Sequence, residues 1–122
     1  MKDRAFALAV ARGRIAIGVV ATAVPGPATR MFLGRPQASG VEPQLTRMVG
    51  VRDLALGLGT AIAIKRGGPV RGWLEAGAFA DAGDCIAALL GRKEMSRQAF
   101  IGTLASTSAA TVVGLLLARR LD

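Results

Sequence analysis

From Leu54 to Ile64 the only polar side chain is Thr60, so a helix through this stretch is apolar on every side for about three turns. Such a helix is either wholly buried or faces lipid. In a soluble four-helix assembly of this size each helix keeps one face in water, so the run fits a lipid-facing helix. Arg52 and Asp53 stand directly before it, and Arg14, Asp81 and Asp84 also fall near the centres of apolar segments. Ionisable groups at such depth are costly in hydrocarbon. They turn inward, pair with one another, and mark either a structural tie or a functional site.

A chain of 122 residues has room for one domain, here 1–122. Apolar residues make up 52% of it and Asn, His and Tyr are absent, which leaves little to wet the outside of a soluble fold. The net charge of +8 would suggest nucleic acid if the basic residues gathered on one polar element. They punctuate apolar stretches instead, with one Trp and no Tyr for base stacking, so nucleic acid is not an expected partner. Anionic lipid headgroups suit basic residues at helix ends. The single cysteine, Cys85, and the lack of His exclude an internal disulfide and remove the usual ligands of zinc and haem. Carboxylates and hydroxyls could suit Mg²⁺ or Ca²⁺, but neither a metal nor another cofactor is expected.

Gly/Pro punctuation predicts an all-α, four-helix transmembrane bundle with helices at about 3–24, 43–65, 70–90 and 96–120. Lys2, Arg4 and the Ala21-Thr22-Ala23 site resemble a signal peptide, yet Arg12 and Arg14 split its apolar region, so the first segment is read as a retained membrane helix. Pro25-Gly26-Pro27 is read as its stop, followed by a connection whose Met31-Phe32-Leu33 part lies along the interface. Pro43 suits a first turn, and Ser96 is a candidate N-cap. Trp73 reads as an interfacial anchor, Glu75 as a solvated neighbour, and Cys85 as a small buried residue. Seven basic residues flank the ends on the side of the termini and five flank the other ends, which favours an inner (plasma) membrane protein of several spans with cytoplasmic termini.

The charges share a depth. Asp53 lies roughly 14 Å inside its helix and Asp81 at about the same level, with Arg14 near the middle of the first helix. The candidate polar network is Arg14, Arg47, Arg52, Asp53, Asp81 and Asp84, in which Arg47 would make the set neutral. Candidate packing positions are small residues at helical spacing: Gly50 and Gly57 with Asp53, Gly77 with Asp81 and Asp84, and Thr103, Thr107, Thr111 and Gly114 on the last helix.

Three functions are compatible with this layer. The first is a structural or accessory membrane component whose ion pairs hold glycine-rich helices in register. The second is a transporter, proton relay, or small-molecule or lipid-binding protein. The third, an enzyme with Asp acid–base or Mg²⁺ chemistry, has least behind it. Self-association through the small-residue seams, or a place in a larger membrane complex, accompanies any of them.

The run Arg47-Met-Val-Gly-Val-Arg-Asp-Leu-Ala-Leu-Gly-Leu-Gly59 resembles the central signature of small four-span integral membrane proteins common in actinobacteria. Arg14-Ile-Ala-Ile-Gly18, with Pro25 and Gly34 after it, and Asp81-Ala-Gly-Asp84 carry the same resemblance. It covers nearly the whole chain and implies a four-helix membrane fold with charged residues at signature positions. The family brings no established activity, substrate or cofactor.

Overall fold

The computed structural model describes residues 2–121. Five α-helices follow one another: α1 (Lys2–Ala23), α2 (Pro25–Leu33), α3 (Val41–Lys65), α4 (Arg71–Leu90) and α5 (Arg97–Arg120), with a 3₁₀ turn at Arg92–Glu94 before α5. No strand occurs among the described residues. The fold is all-α, and its four long helices lie within a residue or two of the expected ranges.

The fifth helix is the correction. Pro25-Gly26-Pro27 does end α1, but α2 begins at once, with Pro at its first position and a break at Val24 (φ −128°, ψ 66°). Proline removes an amide donor and crowds the preceding turn, yet its fixed φ is ready-made for a new first turn. The same residues that stop one helix therefore start the next. Helix α2 closes on Gly34, whose φ of 69° is left-handed. A side chain there would also collide with Ser96. The Ser96 amide donates to the Leu33 carbonyl at 2.7 Å, and the Ser96 hydroxyl accepts from the Ala99 amide at 3.1 Å, capping α5. One junction thus ends α2 and opens α5.

The long helices pack as two antiparallel pairs. In the first, α1 presents Ala7, Ala11, Gly18 and Ala21 to the buried face of α3, which is Thr46, Gly50, Asp53, Gly57 and Thr60. The α3 set repeats every three to four residues and the α1 set does so once Arg14 is counted between Ala11 and Gly18, so each forms one stripe. The backbones nearly touch: a Cβ on Gly18 would lie 2.7 Å from the Gly50 carbonyl oxygen, and one on Gly57 2.9 Å from that of Ala11. In the second pair, α4 meets α5, and a Cβ on Gly114 would lie 3.2 Å from that of Ala78.

Three levels follow along the bundle axis. At the end near the α3–α4 turn, Ala7, Val70, Leu74, Leu117, Ala118 and Leu121 form a closed apolar cluster. Charged residues occupy the middle. At the far end a groove lies between residues of α2, α3, α4 and α5.

The outside is built from larger apolar residues than the inside. Phe6, Ile17, Leu58, Ile62, Phe79, Ile86, Ile101 and Val112 are exposed, whereas the buried set is mostly Ala, Gly, Thr and Asp, with Val70, Leu74, Leu117 and Leu121 as its larger apolar members. Two helices, α1 and α5, are long and apolar enough to cross a membrane. A soluble core helix can pass that test by being buried, but here only 22% of the apolar stretch of α1 and 11% of that of α5 is buried.

Candidate functional site

Arg14 occupies the middle of the α1 stripe, the one long polar side chain on a face of alanine and glycine. Its guanidinium lies over Gly77 of α4, where a Cβ would come within 3.4 Å of Nη2. From there Nη1 donates to Asp53 Oδ1 on α3 at 3.1 Å and Nη2 to Asp81 Oδ2 on α4 at 2.5 Å. A single planar fork thus joins three helices. Charge-assisted bonds of this kind are the stronger class of hydrogen bond.

Arg52 extends the chain. Its Nη1 and Nη2 donate to the two oxygens of Asp84 at 2.8 and 2.6 Å, and Nη2 also reaches Asp53 Oδ1 at 3.3 Å. The order in space is Asp81, Arg14, Asp53, Arg52, Asp84, with signs alternating throughout. Arg52 and Asp53 are separated by about 100° around α3, and the length of the arginine side chain closes that gap. Asp53 is the junction, since one of its oxygens accepts from both arginines.

The two ends of this chain differ in environment. The side chains of Arg14, Asp53 and Asp81 are 15%, 10% and 9% exposed, against 33% for Arg52 and 31% for Asp84. The cavity beside Arg14 and Asp81 measures about 20 Å³, room for about one water. Asp84 instead lines a groove of about 400 Å³. Arg52 Nε is buried without a protein partner.

Arg47, expected in the network, is not part of it. It is exposed, its Nε donates to the Thr22 carbonyl at 3.1 Å, and its Nη1 donates to Gln44 at 3.1 Å. Six residues before Asp53, it sits roughly 9 Å away along the helix axis, beside the open carbonyls at the end of α1, which attract a cation. The network therefore holds three carboxylates against two guanidiniums, one negative charge in excess.

Of the small-residue positions, Gly50, Gly57 and Gly114 sit at close helix contacts and Gly77 faces Arg14. Thr103, Thr107 and Thr111 of α5 are half-buried. Thr107 and Thr111 each donate to the carbonyl four residues earlier, Thr103 and Thr107, at 2.7 Å. Their hydroxyls are satisfied within α5. Trp73 covers Gly59, Glu75 pairs with Arg71 on the exposed surface, and half-buried Cys85 has its Sγ 3.6 Å from the Ser108 hydroxyl.

Two features escaped the sequence reading. Thr29 and Thr46 share a buried hydroxyl bond of 2.7 Å that ties α2 to α3 across 17 positions, a tertiary contact with no local signal. Arg35 Nη2 bridges Glu42 and Glu94 at 3.3 and 3.4 Å, a contact across 59 positions with no local signal.

Among the described residues no three His, Cys, Asp or Glu side chains gather as a metal-holding set. Compared with known proteins, the chain matches no family model, no curated protein and no solved structure.

Proposed function

We propose that this chain is a four-span membrane protein, a structural or accessory component whose ion-pair chain fastens two helix pairs together. The single observation that carries the reading is the inverted distribution of side chains. Most large apolar residues face outward; apart from the cluster of Val70, Leu74, Leu117 and Leu121, the interior is alanine, glycine, threonine and paired charges, and Arg12 is an exposed charge at mid-helix. Water would select the opposite order, and hydrocarbon tolerates this one. Helices α3 and α4 carry more charge than a plain apolar span; of those charges Arg52, Asp53, Asp81 and Asp84 are paired across helices, while Arg47, Lys65 and Glu75 are exposed nearer the helix ends. The resemblance of Arg47–Gly59 to small four-span actinobacterial proteins supports the same reading.

The ion pairs suit a fastening role. Within each pair small residues bring backbones together; α1 and α3 meet α4 through the apolar cluster around Ala7 and Leu74, through Trp73 over Gly59, and through Arg14 and Arg52 reaching Asp81 and Asp84. Geometry so specific fixes which face of one pair meets the other.

Topology tests the proposal directly. In a Cys85→Ser background, single cysteines at Ser39, Gly68 and Lys93 would be probed with a membrane-impermeant maleimide on intact cells. Four spans with cytoplasmic termini expose Ser39→Cys and Lys93→Cys to the reagent and shield Gly68→Cys until the cells are permeabilised. Recovery of the chain in the soluble fraction, or Ser39 and Gly68 on the same side, would overturn it.

A further inference from the structure

We propose that the groove beside α2 binds a hydrophobic monocation, an ammonium or phosphonium carrying an apolar body. Its volume of about 400 Å³ falls in the range of small-molecule pockets. Four helices border it: α2, α3, α4 and α5. Phe32, Leu45 and Val49 give it apolar walls, and Glu42, Asp84 and Glu94 are its charged lining residues. No lysine or arginine lines it, in a chain with 16 basic and 8 acidic residues. The groove therefore runs against the charge balance of the whole molecule.

Each acid belongs to a cluster that keeps surplus negative charge. Asp84 ends the chain of three aspartates and two arginines. Glu42 and Glu94 share the single Arg35. Seven residues separate Glu42 from Val49 and Asp84 from Gly91, roughly 10 Å of helix, so the surplus flanks the groove along its length. Low-dielectric walls strengthen the attraction of a cation and equally repel an anionic lipid phosphate.

The type of cation follows from the walls. A small metal ion needs a shell of oxygens, whereas these carboxylates already accept from arginines and the remaining surface is largely hydrocarbon. A cation with diffuse charge and an apolar body needs no such shell and buries that body against Phe32, Leu45 and Val49. The inference draws on the groove, not on the fastening role of the ion pairs. Titration in detergent solution keeps the number of membrane crossings out of the readout.

Tetraphenylphosphonium and tetraphenylborate share size and shape and differ in the sign of charge. Equilibrium dialysis of the purified chain in an uncharged detergent should show saturable binding of the phosphonium, one per chain, at least about tenfold tighter than the borate. Val49→Phe should abolish that binding without shifting the thermal melt. Glu94→Gln, at a side chain 74% exposed, should weaken it severalfold and keep the fold intact. Equal binding of the two ions would show a plain apolar cleft open to detergent or acyl chains and overturn the proposal. Undiminished binding by Val49→Phe, or by Glu94→Gln with Glu42→Gln, would do the same.

Discussion

Arg14 owes its importance to where its neighbours are small. Ala7, Ala11, Gly18 and Ala21 bring α1 close to α3, and Gly77 leaves its guanidinium room against α4. Both Nη atoms are then committed to carboxylates on different helices. Removing one partner of a buried pair leaves the other charge without compensation, at a cost of about 3–5 kcal/mol. Asp81→Asn should therefore destabilise the bundle by that order. Asp84 is about a third exposed and its partner Arg52 keeps a second bond to Asp53, so Asp84→Asn leaves less uncompensated charge and should cost less. Thermal unfolding of both variants in one detergent checks the order, and a larger loss for Asp84→Asn would contradict the burial argument. The aspartate and arginine positions were readable in the chain because three-, four- and seven-residue spacings put Asp53, Asp81 and Asp84 on inward stripes. The exclusion of Arg47 was not, since it depends on the α1 terminus lying beside it.

Among the elements, the α1–α3 pair is the tightest union. A Cβ on Gly50 would fall 2.6 Å from the Thr22 hydroxyl and 2.9 Å from the Gly18 carbonyl oxygen, so nothing larger than hydrogen fits without moving a helix. Gly50→Leu should push α3 away from α1 and lengthen the reach from Arg14 to Asp53. The expected outcome is a lowered melting temperature together with loss of the additional cost of Asp53→Asn, measured as a double-mutant cycle. Additive losses would mean that the seam and the charges are independent. The long helices could be read from apolar length and Gly/Pro boundaries, and the α5 cap from Ser96. Helix α2 could not, because Pro25 satisfies the rules for ending a helix and for beginning one. The groove was equally hidden, because its lining comes from four helices and no residue encodes that arrangement locally.

For the whole molecule, the division of charge between the two helix pairs governs how it can be made. On the proposed membrane reading, α1 and α3 enter the bilayer with Arg12, Arg14 and Arg52 near their centres against the one aspartate Asp53, and α4 follows with Asp81 and Asp84. Synthesis therefore leaves an unmatched positive segment waiting until its acidic complement arrives. Each portion alone is a poor guest in lipid, and mutual neutralisation draws them together without help from the covalent turn at Gly67-Gly68. Residues 1–67 and 68–122 expressed as separate polypeptides should co-purify from membranes, whereas either alone should be degraded. Arrested or truncated copies would thus carry a mark of incompleteness that proteolytic surveillance can read, and only a finished chain would escape it.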